Sequence, residues 1–317
     1  MARRRLSQQQ KKRIQNAQDA VHTYSENHLD CLVISHHGGF ILVETIDTRL
    51  IECQVKSNLG VIVCGDRVIC EDTGNDEFRV VAIRPRENLL QRIDGSGKTR
   101  SIAANLSQLM ICLAAKPEPN LFLLDQYLLS AAQQNINPVI VFNKTDLLSA
   151  PEEDAYQLKS IYRPLGYTVL FISAKFGYGI DGLKSLFDHQ TTVLSGVSGV
   201  GKSSITIALL PEIKIKIAEI SEANEEGRHT TRTSRLYHLP NDGHLIDTPG
   251  VRGFNPLIDD SQPVGAGFRE IDELAAQCRF SNCRHMNEPG CAVITAVSGR
   301  EITESRYQHY LRLVDQL

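Results

Sequence analysis

Short apolar runs rich in β-branched residues, separated by glycine-containing turns, occupy the chain from about residue 31 to residue 84. Five such runs within roughly 55 residues favour a small closed barrel of the OB type. Phe40 and Phe78 fall where we expect the barrel core, which leaves few rings for stacking on bases. We therefore expect any RNA contact of the barrel to depend on shape and charge, and the alternative is a barrel that only packs against the rest of the chain.

Longer apolar runs that alternate with helical patterns follow from residue 108 onward. This alternation predicts an α/β domain built on a parallel sheet. The predicted strands lie at 108–114, 138–142, 167–172 and 191–194, and the predicted helices at 121–134 and 152–162.

A connector joins the barrel to this α/β section. It contains Gly97, Lys98 and Thr99, which imitate part of a phosphate-binding motif. No apolar strand leads directly into these residues and the earlier glycine of the motif is missing, so we expect a mobile basic loop instead.

The most specific motif is a glycine-rich turn between a predicted strand and a predicted helix, with the pattern G-x-x-x-x-G-K-S. Backbone N–H groups of such a turn surround a phosphate, Lys202 would reach the β- and γ-phosphate oxygens, and the Ser203 hydroxyl would ligate Mg²⁺. A chance Gly/Ser turn is the alternative, which the flanking strand and helix disfavour. The predicted nucleotide-binding residues here are Gly196, Val197, Ser198, Gly199, Val200, Gly201, Lys202, Ser203 and Ser204.

The base-reading motif Asn143, Lys144, Thr145 and Asp146 ends the predicted strand at 138–142. A carboxylate at Asp146 accepts from N1–H and the exocyclic amine of guanine, and adenine offers no such pair of donors on that edge. The sequence therefore predicts GTP and GDP as ligands, and disfavours an ATP-using kinase.

A second base-contacting loop is predicted at Ser173, Ala174 and Lys175, directly after the strand at 167–172. A backbone N–H of this loop would meet O6 of guanine.

Two segments are predicted to contact the γ-phosphate and its Mg²⁺. Asp247 closes an apolar run and would hold Mg²⁺ through water, while the polar segment 221–234 has the composition of a switch loop. A switch threonine, Thr231 or less favourably Thr230, would complete the Mg²⁺ shell. Where many GTPases carry a water-orienting glutamine, this chain has Val251, so we expect slow intrinsic hydrolysis that a partner stimulates.

His229 is a candidate for orienting the attacking water, and a solvated histidine is the alternative. The predicted catalytic residues are Lys202, Ser203, Thr231, Asp247 and His229.

The order of these motifs is unusual, because the guanine motif and second base loop precede the phosphate cradle. A doubly wound sheet gathers its ligand loops at the carboxyl ends of its strands, so rejoining the termini leaves the pocket unchanged. We interpret the domain as a circularly permuted GTPase, whose second switch leads directly into the C-terminal section.

That section contains Cys278, Cys283, His285 and Cys291 within 14 residues. Three thiolates and one imidazole form a complete tetrahedral set for one structural Zn²⁺. Buried structural cysteines are the alternative, which the polar surroundings disfavour. We expect helices on both sides, over 268–277 and 304–317, and little core without the metal, so that zinc binding would supply much of the folding free energy.

Composition and charge change this picture only at the N-terminus. The 317-residue chain has a formal net charge of −3, while its first 15 residues carry six basic and no acidic residues. Such a tail is either solvated or an arm that binds phosphate groups.

The chain has no apolar run of membrane-spanning length, so we expect a cytoplasmic protein without a membrane partner. The cysteines outside the zinc motif are expected to be buried and reduced: Cys31, Cys53, Cys64, Cys70 and Cys112.

Together these motifs, with Gly-Arg-His-Thr-Thr at 227–231, resemble the bacterial ribosome biogenesis GTPases of the RsgA family, also called YjeQ. The resemblance implies a GTPase stimulated by the small (30S) ribosomal subunit that acts late in its maturation and contacts 16S rRNA through barrel and zinc domain. It also implies the same four zinc ligands and the nucleotide residues already named. The switch here reads Thr-Thr-Arg-Thr rather than three threonines, which leaves the Mg²⁺ threonine open, and Ser107 stands where an acid is usual.

The competing hypothesis is a zinc and OB-fold RNA-binding protein in which GTP is only a structural ligand.

We expect a monomer of multidomain architecture. The predicted parts are a basic tail at 1–28, an OB-type barrel at 29–86, a connector at 87–106, the permuted GTPase domain at 107–256 and a helical zinc-binding domain at 257–317.

Overall fold

A closed five-stranded barrel forms the N-terminal part of the computed structural model, which describes residues 27–37, 39–55, 59–148, 153–211, 234–248 and 255–316. The strands follow the spatial order β1-β2-β3-β5-β4, and β4 pairs back with β1 to close the barrel. Alternate side chains of β2 are buried, as expected for strands with one face toward a core. The strands are β1 (His28–His37), β2 (Phe40–Thr45), β3 (Leu50–Val55), β4 (Arg67–Gly74) and β5 (Glu77–Ile83).

The barrel prediction is confirmed, with one error in its core. Phe78 is buried, but the Phe40 side chain is 49% exposed, so the expectation that both rings face the core was wrong for Phe40. Phe40 begins β2, and the next residue, Ile41, takes the inward position. The five cysteines outside the zinc motif are free and buried, as predicted.

The connector is a β-hairpin, so the expectation of a loop was wrong. Strands β6 (Leu89–Ile93) and β7 (Thr99–Ala104) pair antiparallel, and the short strand β14 (Asn255–Pro256) joins β6. The Asp94 carboxylate accepts from the N–H groups of Ser96 and Lys98, both at 2.9 Å, which fixes the turn between the strands. Gly97, Lys98 and Thr99 therefore lie in and after a hairpin turn, not in a phosphate-binding loop.

The α/β section has a mostly parallel sheet with the order β10-β9-β8-β11-β13-β12. Five of these strands run parallel and β12 is antiparallel to β13. The strands are β8 (Gln108–Ala114), β9 (Asn137–Asn143), β10 (Thr168–Phe171), β11 (Thr191–Ser195), β12 (Arg235–Leu239) and β13 (Gly243–Asp247). Strands β9 and β10 extend the sheet on one side of β8, whereas β11 and β13 lie on its other side, so the sheet is doubly wound as predicted.

Helices cover both faces of this sheet. Strand β8 shows why, because its side chains alternate between two hydrophobic cores, with Leu109 and Ile111 in one and Met110 and Cys112 in the other. The helices are α1 (Leu121–Gln133), α2 (Glu153–Tyr162), α3 (Ile180–Ser185) and α4 (Lys202–Leu209), with a 3₁₀ turn at Thr145–Leu147.

Barrel and α/β sheet are joined through the edge strand β12. Ser35 of β1 lies in register with Arg235, which makes one continuous 11-stranded sheet. The Cys64 thiol donates to the carbonyl of Ser234 at 3.2 Å, and His238 forms a 2.9 Å pair with Glu44. The barrel is therefore attached to the strand that follows residues 212–233, where the switch loop is predicted.

The C-terminal section consists of a 3₁₀ turn at Val264–Gly267 and three helices, α5 (Arg269–Ala275), α6 (Ala292–Ser298) and α7 (Glu304–Gln316). Its apolar cluster includes Phe268, Val293 and Leu313, and it is continued by Leu129 of α1. The section thus has more core than its sequence predicted, since Leu129 of the α/β section completes its apolar cluster. No helix among the described residues is long and apolar enough to span a bilayer.

Candidate nucleotide site and candidate metal centre

The loops predicted to bind nucleotide follow strands β9, β10, β11 and β13, which run parallel and therefore end at the same edge of the sheet. In doubly wound folds this edge is where ligands bind.

The cradle begins where β11 ends, and its shape requires glycine at two positions. A Cβ on Gly196 would lie 2.2 Å from the carbonyl oxygen of Cys112, and one on Gly201 would lie 2.3 Å from Nδ2 of Asn143. Both residues also have positive φ angles, of 127° and 95°, which side chains disfavour. Gly201 is followed directly by the first turn of α4, so the turn presents its N–H groups at a helix N-terminus.

Lys202 folds back into the cradle. Its ammonium donates to the carbonyl of Gly196 at 2.6 Å and to that of Val197 at 3.0 Å. The side chain thus lies over the turn in which a phosphate would be held. Ser203 and Ser204 are exposed at the start of α4.

Asn143 connects three of the predicted loops. Its Nδ2 donates to the carbonyl of Val200 at 2.9 Å, and its Oδ1 accepts from the backbone N–H of Ala174 at 3.0 Å. The side chain is buried, so these bonds are shielded from water. One asparagine therefore fixes the cradle and the second base loop relative to the end of β9.

The neighbouring residues of the guanine motif extend this arrangement. Lys144 has a left-handed backbone, and its ammonium donates to the carbonyls of Lys116 at 2.8 Å and Gly199 at 2.5 Å. The Thr145 hydroxyl donates to the carbonyl of Ile172 at 3.0 Å. The three side chains at 143–145 thus brace the cradle and the end of β10.

Asp146 is held by the second base loop, because the Ser173 hydroxyl donates to its Oδ1. A carboxylate has about four acceptor sites on its two oxygens, so Asp146 can still accept from both guanine N–H donors while Ser173 holds it. Sequence reasoning placed Ser173 only as a backbone contact. The structure adds that its hydroxyl donates to the carboxylate predicted to read the base, a contact that a serine beside a motif does not reveal by pattern alone.

Asp247 ends β13 on the same edge. Burial raises the pKa of its carboxyl, while the Thr248 N–H and the charge of Lys202 oppose that rise. A buried carboxylate is poorly hydrated, so a nearby cation stabilises its charged form more than it would stabilise an exposed carboxylate. This position therefore suits an indirect Mg²⁺ contact. The predicted residues Thr231, Thr230 and His229 lie outside the described residues.

Cys278, Cys283, His285 and Cys291 converge as predicted from their spacing, and their ligand atoms all lie within 4.8 Å of one another. His285 Nδ1 is 3.4 Å from Cys291 Sγ and 3.5 Å from Cys278 Sγ, and the two sulfurs are 3.8 Å apart. A tetrahedral Zn²⁺ with bonds of about 2.0–2.3 Å places its ligands roughly 3.5–3.8 Å apart, so the donor set fits zinc in type and spacing.

Several groups outside the four ligands hold this centre. The Tyr307 hydroxyl donates to the His285 carbonyl at 2.7 Å, which ties the ligand loop to α7. Glu288 accepts from the N–H groups of Arg284 and Met286, both at 2.8 Å, and these bonds lower the pKa of its carboxyl to about 2. Sequence reasoning placed Tyr307 only within the predicted helix at 304–317 and did not identify Glu288, because neither contact follows from spacing.

Electrostatics at Cys278 also favour a thiolate. Burial alone would raise the pKa of this thiol, but hydrogen bonds from the N–H groups of Ala292 and Val293 at the start of α6, together with those of the Cys291 and Cys283 thiols, outweigh burial and lower it. Since zinc binds the thiolate form, α6 prepares this position for a metal.

Parallel strands, a glycine-rich cradle and a base-reading motif that precedes it define a circularly permuted GTPase. A family model described as RsgA GTPase matches residues 83–256. The chain is 40% identical to the small ribosomal subunit biogenesis GTPase RsgA of Saccharophagus degradans, over 100% of this chain and 98% of that relative. The chain belongs to the RsgA GTPase family.

Solved structures support the same assignment. YjeQ from Thermotoga maritima superposes with a TM-score of 0.73 at 31% identity, covering 92% of this chain and 98% of that one. YloQ, described as a circularly permuted GTPase, gives a TM-score of 0.70 at 26% identity, covering 93% and 96%.

Proposed function

We propose that this chain hydrolyses GTP to GDP and phosphate, that the small ribosomal subunit stimulates the reaction, and that the cycle serves a late step in maturation of that subunit. The observation that carries the proposal is the pair of Asn143 hydrogen bonds, which unites the cradle with both base-reading loops. The names of the full-length relatives supply the ribosomal subunit as partner.

In this proposal guanine is read by Asp146, which Ser173 orients, and by the backbone of the loop at 173–175. Lys202 contacts the β- and γ-phosphate oxygens. Ser203 and a switch threonine, Thr231, hold Mg²⁺ directly, and Asp247 holds it through water. When bound, Mg²⁺ neutralises charge that develops on the phosphates. His229 orients water, because Val251 offers no hydrogen-bonding group where a glutamine is common.

We further propose that one Zn²⁺ binds Cys278, Cys283, His285 and Cys291, and that barrel and zinc section contact 16S rRNA. Exposed Phe40 on the barrel and exposed Phe280 beside the zinc ligands support such contacts, since rings stack on unpaired bases. The protein acts as a monomer in the cytoplasm, where assembling subunits are found. The basic residues before residue 15 give the tail an affinity for phosphate.

Single-turnover hydrolysis of GTP, with and without purified small ribosomal subunits, tests the proposal. We expect slow hydrolysis by the protein alone and a rate at least roughly a hundredfold faster with subunits, since partner-supplied groups in GTPases contribute that much or more. A rate that subunits leave unchanged would favour the competing function, an RNA-binding protein with GTP as structural ligand, which the relatives' names do not favour.

A further inference from the structure

Two aromatic side chains, Phe176 and Tyr178, stand exposed on the loop that follows the predicted guanine-contacting residues. Their side chains are 56% and 66% exposed. The rings stack on each other, with centroids 6.4 Å apart and planes inclined by 30°. The ammonium of Lys175 lies 5.1 Å from the centroid of the Phe176 ring. We call Lys175, Phe176 and Tyr178 the aromatic platform.

The loop under the platform is fixed by backbone hydrogen bonds. The Ser173 N–H donates to the Tyr178 carbonyl at 3.0 Å, and the Phe176 N–H donates to the Ser173 carbonyl at 3.2 Å. Gly179 has a φ of 72°, and a Cβ there would lie 2.6 Å from the carbonyl oxygen of Phe171. The rings are therefore presented by a tight turn, so that little backbone entropy is lost when they bind a partner.

Folding does not account for these rings. Neither Phe176 nor Tyr178 belongs to a hydrophobic core cluster or packs against one. Within the described residues, this is the one pair of exposed aromatic side chains whose rings stack on each other. Exposed stacked rings keep apolar surface in contact with water, which is unfavourable for the free protein. Such rings are typical of a surface that a partner covers.

We propose that the aromatic platform stacks an unpaired base of the small-subunit RNA; this inference rests on the proposed function, which supplies RNA as the partner. A base presents a flat π-face to Phe176 or Tyr178 whatever its identity, and Lys175 attracts the adjoining phosphate. A protein partner fits the platform less well, because the residues between and after the rings are Gly177 and Gly179, which add no apolar wall.

The position of the platform gives such a contact a consequence. The turn that carries the rings also supplies the Ala174 N–H to Asn143 and the Ser173 hydroxyl to Asp146. RNA docked on the rings therefore bears on the same backbone that reads guanine. Binding of the subunit and binding of guanine nucleotide are coupled here, and the coupling is reciprocal.

Fluorescence provides a direct test, because the chain contains no tryptophan. Phe176→Trp creates a single reporter on the platform, and Ala132→Trp places one at an exposed position of α1, in the same α/β section, as the control. Small ribosomal subunits and single-stranded oligoadenylate should quench Phe176→Trp, while heparin, a polyanion without bases, should not. If heparin quenches Phe176→Trp as the RNAs do, or if neither the subunits nor oligoadenylate quench it, the proposal is overturned. Quenching by GTP alone also overturns it, because that result would assign the rings to the nucleotide.

Binding of small subunits, measured by sedimentation, separates stacking from general apolar contact. Phe176→Leu and Tyr178→Leu keep apolar volume but lose the π-face, so each should weaken binding roughly tenfold, as expected for one stacked base. Phe176→Tyr and Tyr178→Phe should bind as the unaltered protein does. Leucine variants that bind normally while Phe176→Ala and Tyr178→Ala bind weakly would indicate a protein partner and overturn the proposal.

The same variants distinguish this inference from the function on which it rests. GTP affinity and unstimulated hydrolysis should be unchanged in the leucine variants. If subunits stimulate the unaltered protein and the leucine variants equally, with equal affinity, the platform proposal is wrong and the proposed function stands. If subunits fail to stimulate even the unaltered protein, the proposed function itself fails.

Discussion

Asn143 bonds to Val200 on one side and to Ala174 on the other, at 2.9 and 3.0 Å. These contacts join segments 57 and 31 residues away in the chain. The proposed nucleotide site is therefore held together by a buried amide whose two partners belong to the cradle and to the second base loop. In a permuted chain these two bonds hold the proposed phosphate and base subsites in a fixed arrangement, regardless of where the chain begins and ends.

Replacing Asn143 should separate the two subsites. Asn143→Ala leaves the Val200 carbonyl and the Ala174 N–H without their partner, a loss of roughly 1–3 kcal/mol, which corresponds to a fall in GTP affinity of about 5- to 150-fold. Calorimetric titration with GTP and Mg²⁺ measures it. Gln308→Ala, which removes an exposed amide from α7, is the control. Unchanged GTP affinity in Asn143→Ala would contradict the assignment.

Asp146→Asn should change which base is bound. An amide in place of the carboxylate presents a donor toward guanine, while xanthine offers an acceptor at that edge, so preference should move from GTP to xanthosine triphosphate by roughly a hundredfold. Competition binding between the two nucleotides gives the ratio. Ser173→Ala should weaken GTP binding without reversing the preference, because the carboxylate remains but loses its orienting hydroxyl. Retained GTP selectivity in Asp146→Asn would remove the base-reading assignment.

Lys202→Ala and Ser203→Ala should each abolish turnover. Lys202→Ala removes positive charge from the cradle, where the ammonium donates to the carbonyls of Gly196 and Val197. Ser203→Ala removes a proposed Mg²⁺ ligand. Losses of one such group lower the rate roughly 100–1,000-fold. Single-turnover hydrolysis with small subunits is the measurement, and Ser185→Ala on α3 is the matched serine control. Hydrolysis that persists in both variants would move the active site elsewhere.

The sheet and the places of its loops could be predicted because each ligand loop directly follows an apolar run. A run such as 138–142, closed by polar Asn143, indicates both a strand and the edge at which it ends. The permuted order then follows from the motifs alone.

Other features could not be predicted because they depend on partners distant in sequence. Strand β12 has no distinctive pattern, and its pairing with β1 across 200 residues appears only in the fold. The hairpin of the connector was missed since its glycine turn resembled a loop. Phe40 was misplaced because one residue of register decides whether a strand side chain faces core or solvent.

The zinc centre should depend on Glu288 as well as on its ligands. Glu288→Gln replaces a carboxylate that accepts from Arg284, Met286 and Asn287 with an amide that has only one acceptor oxygen. Zinc affinity should fall roughly tenfold, as for other groups that orient metal ligands. Competition with a chromogenic chelator measures this fall, and Glu301→Gln, on an exposed turn before α7, is the control.

Metal content is a separate readout of the same centre. Cys283→Ser should lose zinc, whereas Cys112→Ser, which alters a buried cysteine of β8, should retain one zinc per chain even if it destabilises the fold. Zinc retained in Cys283→Ser, or absent from the unaltered protein grown with zinc, would contradict the ligand assignment.

The C-terminal section should separate from the GTPase domain when Arg306 is lost. This guanidinium is 1% exposed and bonds to Asp125 of α1 at 2.6 Å and to Glu270 of α5 at 2.8 Å. Its plane also lies 4.4 Å from the centroid of the Phe268 ring. Arg306→Ala leaves the fully buried Asp125 carboxylate with the Tyr162 hydroxyl at 2.8 Å and His309 Nδ1 at 2.6 Å, but without the guanidinium. The loss should cost roughly 3 kcal/mol in the free energy of unfolding, the lower end of the range for a broken buried ion pair.

Urea unfolding measures this loss, and two further variants show whether it arises from charge. Arg312→Ala removes another α7 arginine, which lies over the Phe122 ring at 3.9 Å but is exposed, so it should cost less than about 1 kcal/mol. Asp125→Leu and Glu270→Leu combined with Arg306→Met remove all three charges of the cluster and should recover much of the lost stability, since well-packed apolar groups can replace a buried ion pair. If this triple variant is as unstable as Arg306→Ala, packing around Arg306, rather than the carboxylates left without it, accounts for the loss.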